Sequence, residues 1–370
     1  MHPERENSKR KAALLHSLQL RDFRCFEQAS LDLNGEDAVF IGRNAQGKTS
    51  ILESICVLLR LQSPRASTLR EMMHFDSREG FFVGGNWAGR ELKFGYGGRL
   101  KRLTVDGSAT RRSGAYLRLS GHVVWMGNSD LQLIRGRGES RRRYLDFIGA
   151  QIFPDYLSAL RCYERATRAR NTLLKSLPIP WAQVDAYTSL LVQHGEILLQ
   201  RRTELGILLQ PWVIDAGSNL SRNSESIAIG YRPKVASGTL AAALEESRDA
   251  DARRRQTTVG PHRDELGLEI DGRPAGTFGS EGQQRSFALA LKLAQAKLLA
   301  ERDPAEKPVL LIDDIFGELD VSRRNALLAY LPNDSQKLIT TTHLDWAEQE
   351  RLEGAIYDVE AGNLVRQRNH

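Results

Sequence analysis

The stretch "GRNAQGKTS", residues 42 to 50, follows the apolar run Ala38-Val39-Phe40-Ile41 and leads into "TSILESICVLLRL", whose apolar residues have helical spacing. Gly42, four residues, then Gly47-Lys48-Thr49 is the phosphate-loop pattern, here between a strand and a helix. Glycines let backbone N–H groups turn inward around phosphates, the lysine reaches the β- and γ-phosphates, and the threonine hydroxyl serves Mg²⁺. Gly42, Arg43, Asn44, Ala45, Gln46, Gly47, Lys48, Thr49 and Ser50 are therefore expected to hold a nucleoside triphosphate. The loop alone leaves open a kinase, a transporter motor, a GTPase or a protein acting on DNA.

Three further stretches narrow the choice. In "PVLLIDDIFGELD", residues 308 to 320, a buried-strand run ends in Asp313-Asp314; there one carboxylate can orient Mg²⁺ and the next can polarise an attacking water. An ordinary strand end with acidic turn residues would look the same. In "FGSEGQQRSFALALKLAQA", Ser280-Glu281-Gly282-Gln283-Gln284 opens a strongly helical run 33 residues ahead of Asp313. A serine there is a common N-cap, and a helix N-terminus is also an anion site. Finally, "KLITTTHLDW" is an apolar strand ending in His343, 23 residues after Asp320. "PHRDEL" is no kinase catalytic loop, because Glu269 stands where that loop needs Asn.

The 370 residues and 41% hydrophobic content can fill a large domain with a second one inserted. No stretch has the ~20 apolar residues of a membrane span, and the start of the chain lacks a secretory pattern, so residues 1–12 are read as a disordered tail and the location as cytoplasmic. Cys25, Cys56 and Cys162 lie too far apart for a CxxC zinc site or a disulfide framework. The charge of +6 and pI of about 9.2 favour anionic partners. Residues 130 to 175 hold ten Arg or Lys against five Asp or Glu, so Arg141, Arg142, Arg143, Arg165, Arg168 and Arg170 are candidates for a DNA surface, a solvated helix face being the alternative.

Along the chain, two strands precede residue 38, and "EGFFVGGNW", "ELKFGYGG" and "KRLTVDG" suit an antiparallel meander. From about Leu131 to Leu209 the spacing is helical, broken at Pro178-Ile179-Pro180, with no sustained heptads. After residue 256 helix and strand alternate again. The reading is an α/β ATPase lobe from residues 13–126 and 250–370, built on a mixed sheet with helices, and a mostly helical inserted lobe over 127–249 without a long coiled coil.

In their order, Lys48, Ser280, Asp313, Asp314, Asp320 and His343 resemble the ATP-binding-cassette set in the variety shared with SMC proteins. "TTVGPHRDEL", "GSEGQQRSFALALKLA", "VLLIDDIFGELDVSRR" and "YERATRARNTLLK" further resemble the RecF family of bacterial recombination mediators, and the likeness runs from Leu15 over nearly the whole chain. The resemblance implies ATP and Mg²⁺ as ligands, with Thr49 and Asp313 on the metal side, and Lys48, Asp314 and His343 catalytic. It also implies that Ser280 and Gly282 complete the nucleotide site of a second copy in an ATP-dependent homodimer, and that Gln283 and Asp320 bind nucleotide. Further implications are slow, DNA-dependent ATP hydrolysis, binding to double-stranded and gapped DNA, and cooperation with RecR and RecO to load RecA; no membrane partner is implied. An alternative is a relative acting as an ATP-driven protein-interaction switch. Asn128-Ser129-Asp130, Gly136-Arg137-Gly138 and Glu281 depart from the family's pattern, and Gln132 is the candidate for a Q-loop glutamine.

Overall fold

The computed structural model describes residues 13–221, 225–343 and 354–367; the expected tail over residues 1–12 lies outside them. The chain divides into two compact units, Met1–Asn128 with Leu299–His370, and Ser129–Leu298. The first boundary lies close to the expected 126/127, whereas the second falls well beyond the expected 249/250. The reason is strand pairing: Glu265–Ile270 pairs along its length with Ile227–Arg232 and so belongs with the helices of the second unit. Among the described residues no helix is long and apolar enough to cross a membrane.

The first unit contains two six-stranded sheets. One is antiparallel, in the order Phe26–Asp32, Leu15–Phe23, Phe81–Trp87, Arg90–Tyr96, Lys101–Val105 and Ser108–Ala109, and includes the expected meander. The other runs Asn363–Arg366, Ala355–Glu360, Ala38–Ile41, Lys337–Thr341, Val309–Asp313 and Val123–Gly127. Its last five strands are mutually parallel, and an antiparallel strand closes one edge. Val309–Ile312 are all buried, as the continuous apolar run of a central parallel strand requires. The helix Lys48–Arg60 touches strands of both sheets and buries every residue except Thr49. Its apolar residues Ile51, Leu52, Ile55, Cys56, Val57, Leu58 and Leu59 are fully buried, and so is Glu53, which pairs with Arg24 at 2.7 Å. Because the five strands are parallel, Ile41, Thr341, Asp313 and Gly127 all end at one edge, the edge where open α/β sheets bind ligands.

The second unit is built on the helices Gly138–Ile152, Tyr156–Leu173 and Trp181–Ser221, with a three-stranded sheet of Arg273–Pro274, Glu265–Ile270 and Ile227–Arg232. The 41-residue helix runs through Pro211, past the expected end at Leu209. A proline inside a helix removes one hydrogen bond, but Leu205, Leu209, Val213, Ala216 and Leu220 stay buried at helical spacing across it, and their packing keeps the helix intact. That helix packs on Tyr156–Leu173 and on Ile227–Arg232, which explains the missing coiled-coil heptads.

Two of the stretches that carry the family resemblance, "RARNTLLK" and "TTVGPHRDEL", meet inside this unit. Arg170, 2% exposed, donates to Asp251 at 2.7 Å, to Thr257 at 2.9 Å and to Thr188 at 2.9 Å. The Asn171 carbonyl accepts from the backbone and hydroxyl of Thr257 at 2.7 and 2.8 Å. Gly260, at φ +126, lies so close to Tyr163 that a Cβ there would sit 2.4 Å from its hydroxyl. His262 bonds Tyr163 at 2.7 Å and the Thr257 carbonyl at 3.1 Å, and burial pushes its imidazole down to about 4. Arg263 donates to the Thr257 carbonyl at 3.1 Å. These motifs are a buried polar network whose members satisfy one another.

Candidate nucleotide site

At the carboxyl edge of the parallel sheet the phosphate loop turns from Ile41 into the helix at Lys48. Gly47 has φ +110, and a Cβ there would sit 2.7 Å from Cys25 Sγ and 2.9 Å from Phe26 Cζ, so only glycine fits. Arg43, Asn44 and Ala45 are exposed, whereas Ser50 is buried and bonded to the Cys25 thiol. Gln46 Oε1 accepts the Ala361 backbone N–H at 2.7 Å and thereby ties the loop to the hairpin Ala355–Arg366. Lys48, 5% exposed, curls back so that Nζ donates to the carbonyls of Gly42 at 2.6 Å and Arg43 at 2.9 Å. Burial lowers its pKa, and Asp314 and Asp313 oppose that shift. A partly desolvated ammonium held among backbone carbonyls is suited to a polyphosphate, the stronger acceptor.

Asp313 is the hub. Its Oδ1 accepts the Thr49 hydroxyl at 2.7 Å and the Thr340 hydroxyl at 2.8 Å, which joins the phosphate loop to two neighbouring strands. Asp314, with φ 51, accepts the Thr342 backbone N–H on its carboxylate, and its own backbone N–H donates to the Thr340 carbonyl at 3.2 Å and hydroxyl at 3.1 Å. Burial raises the pKa of Asp314, Lys48 opposes the rise, and Asp313 and Glu318 add to it. The two adjacent carboxylates thus have different environments, one hydrogen-bonded by hydroxyls and one turned toward the lysine. The donors gathered here, the Thr49 hydroxyl and the two carboxylates, are all hard oxygens, and they fit Mg²⁺.

His343 lies just past the end of Lys337–Thr341, at the same sheet edge. Its side chain is exposed, and its backbone N–H and carbonyl both bond the Thr341 hydroxyl, at 3.3 and 2.9 Å. Asp320 caps the helix Val321–Tyr330 by accepting from the Arg323 N–H at 2.8 Å, and it pairs with the Arg323 guanidinium at 3.1 Å. Asn128, one of the positions departing from the family pattern, donates to Glu318 at 2.7 Å beside the Asp314 turn. Sequence reasoning missed Thr340, and it named Asn128 and Gln46 without their contacts to Glu318 and Ala361. The signal for Thr340 was its place in "LITTTH", one strand over from Asp313.

Ser280, Gly282 and Gln283 belong to the second unit. Ser280 and Gln283 form a reciprocal cap: the Ser280 N–H donates to Gln283 Oε1 at 2.7 Å, and the Gln283 N–H donates to Ser280 Oγ at 3.3 Å. The buried Gln284 fastens the approach to this turn, donating to the carbonyls of Gly279 at 2.9 Å and Ala275 at 3.2 Å while accepting from Arg135 at 2.6 Å. Ser280 itself is exposed at the start of the helix Glu281–Arg302. Gln132 is exposed on the short helix Leu131–Arg135.

The arginines expected on a DNA surface separate into two sets. Arg170 is buried in the network described above, and Arg141 is fixed by Glu265 at 2.6 Å and the carbonyls of Leu133 and Gly136. Neither is available to phosphates. Arg142 donates to the Asp264 carbonyl at 2.8 Å, and burial lowers its pKa. Arg143, Arg165 and Arg168 are exposed, with Arg143 paired to Glu139 at 2.6 Å and Arg168 to Glu164 at 4.0 Å. A cavity of about 350 Å³ opens between these helices, but three of its four arginines face carboxylates that also line it.

With this geometry in place, comparison with known proteins shows where such a chain is found. The family described as "AAA domain" matches residues 17–191. The DNA replication and repair protein RecF of Gloeobacter violaceus is 35% identical over 95% of this chain and 98% of its own length. That of Bacillus cereus strain G9842 is 32% identical, covering 92% of this chain and 95% of its own. Among solved structures, the recombination mediator protein RecF with ATP in the RecFOR pathway superposes with a TM-score of 0.86 at 27% identity, covering 98% of this chain and all of that one. An Smc head bound to the C-terminal winged-helix domain of ScpA matches with a TM-score of 0.54 at 15% identity over 96% of this chain and 97% of that chain, a likeness of fold alone.

Proposed function

This chain belongs to the RecF family, and we propose that it binds ATP with Mg²⁺, dimerises on it, hydrolyses it slowly and binds double-stranded or gapped DNA in recombinational repair, helping RecR and RecO load RecA in the cytoplasm. The observation carrying this reading is the joint hold on Asp313 by Thr49 and Thr340 beside the desolvated Lys48. Lys48 exchanges its carbonyl contacts for the β- and γ-phosphates. Thr49 and Asp313 would hold the magnesium, which would supply charge stabilisation to the phosphates. Asp314, whose carboxyl burial makes more basic than usual, takes the proton of the attacking water. The reach of Asp is one methylene short of Glu, which suits turnover below the ~10 s⁻¹ common among enzymes.

Ser280 and its helix N-terminus supply the anion site for a nucleotide held by the second copy. Arg143, Arg165 and Arg168 supply sequence-independent phosphate contacts, since the exposed ion pairs that occupy two of them are worth only ~0–1 kcal/mol and exchange readily. Sedimentation with ATP, ADP or no nucleotide, with and without gapped duplex, tests the whole. Dimers with ATP alone, and DNA affinity that falls with salt, are expected. Triple replacement of these arginines by Ala then flattens the salt slope by up to about one unit for each DNA phosphate no longer neutralised. ATP-driven dimers indifferent to DNA would favour an interaction switch instead.

A further inference from the structure

A second cluster of ligand-type side chains lies at the opposite end of the parallel sheet from the phosphate loop. His122 directly precedes the strand Val123–Gly127, and its carbonyl accepts the Val309 N–H at 2.8 Å, so it stands beside the start of Val309–Asp313. At ~3.3 Å per residue, that start is roughly 13 Å from Asp313. A ring nitrogen of His122 and carboxylate oxygens of Asp303 and Glu306 all lie within 4.8 Å of one another, and all three residues are half-buried. The Nδ1 of His122 is sealed from solvent and, among the described residues, has no hydrogen-bond partner. A buried ring nitrogen in that condition is a cost that needs a reason.

The surroundings hold both carboxylates in place and offset only part of their charge. Asp303 Oδ1 accepts the N–H groups of Ala305 at 3.1 Å and Glu306 at 3.2 Å, which shapes the turn and leaves its other oxygen for a ligand. The buried indole of Trp87 donates to Glu306, the kind of outer contact that orients a metal-binding carboxylate. Arg60, buried at the end of the phosphate-loop helix, faces Glu306 and offsets one of the two negative charges. One divalent cation is therefore the most this cluster would hold. With bonds of ~2.1 Å, two ligand atoms across one ion are at most about 4.2 Å apart, so any pair near the 4.8 Å limit closes by at least about half an ångström when the ion binds.

We propose that His122, Asp303 and Glu306 form a binding site for one divalent transition-metal ion of the zinc or cobalt class, with water completing its coordination. One imidazole with two carboxylates suits such ions, whereas Mg²⁺ and Ca²⁺ prefer oxygen alone. The site pins the turn between the helix Glu281–Arg302, which begins after Ser280, and the strand that ends at Asp313. It is independent of the nucleotide reading.

The test is titration of chelator-treated, nucleotide-free protein with Zn²⁺, followed by equilibrium dialysis, and with Co²⁺, followed by its visible absorption. One equivalent should bind in the presence of excess Mg²⁺. His122→Ala and the size-conserving Glu306→Gln should each weaken that equivalent by more than about 100-fold, and Trp87→Phe by 10- to 100-fold, the range for an outer contact. Asp313→Asn should keep it. Absence of binding by the unaltered protein overturns the proposal, as does equal binding by folded His122→Ala or Glu306→Gln protein, or loss of the equivalent in Asp313→Asn.

Discussion

Arg170→Ala removes the guanidinium that joins the helix Tyr156–Leu173 to the segment around Asp251 and Thr257. The structure gives the magnitude. The Arg170–Asp251 pair is 2.7 Å apart, with side chains 2% and 0% exposed, so the deletion leaves a carboxylate buried without its counter-charge. Breaking such a pair from one side costs about 3–5 kcal/mol. Asp251 keeps three compensating donors, the Thr258 N–H at 2.8 Å and hydroxyl at 2.6 Å on one oxygen and the Ser247 hydroxyl at 3.4 Å on the other, which places the expected loss near the lower end, ~3 kcal/mol. Urea unfolding followed by hydrogen exchange localises the loss, which should appear as reduced protection within Ser129–Leu298. Nucleotide binding at Lys48 and the salt slope of DNA binding should be unchanged. A loss below about 1 kcal/mol, the scale of an exposed pair, would refute the assignment, and so would a flattened salt slope.

Lys48→Met should abolish ATP-dependent self-association while leaving circular dichroism and thermal unfolding of the nucleotide-free protein nearly as before; normal dimers with ATP would contradict the composite site. Asp314→Asn should retain ATP and accumulate dimers with turnover abolished, whereas unaltered turnover reassigns the base. Because burial raises the Asp314 carboxyl, the acid limb of single-turnover hydrolysis should lie above the ordinary aspartate range, with the rate rising as pH increases through it. His262 supplies a stability signature. In the fold it takes a proton only near about 4, against 6.5 in the unfolded chain, so between those values the unfolded state binds more protons and stability falls as pH drops. His262→Gln should shrink that component of the acid destabilisation, as read from urea midpoints between pH 4 and 7, and an unchanged pH profile would count against it.

Much of the site was legible because its chemistry is local. Gly47, Lys48 and Thr49 declare themselves by spacing, and the apolar run ending in Asp313-Asp314 reads as a buried strand with acids at its carboxyl end. What escaped was set by partners distant in sequence. Thr340 became part of the site through strand pairing with Asp313, and the tie of the phosphate loop to the hairpin, from Gln46 to Ala361, spans more than three hundred residues. The arginines show the same limit from the other side. Arg165, Arg168 and Arg170 look alike in a helical series, yet helix phase exposes the first two and buries the third against Asp251. The second unit extends past residue 250 because Glu265–Ile270 found its partner in Ile227–Arg232, a strand that periodicity alone did not reveal.

The central claim is that Ser280 serves the nucleotide of a second copy rather than its own. Ser280→Arg places a bulky cation at an exposed helix start, and removal of the cap should cost only ~1 kcal/mol, so the fold survives. Sedimentation in excess ATP, with nucleotide titration of the same protein, reads binding and assembly separately. The account predicts a monomer at every ATP concentration that still binds ATP through Lys48 and Thr49 with near-native affinity. A Ser280→Arg protein that dimerises with ATP as readily as the unaltered chain would contradict it.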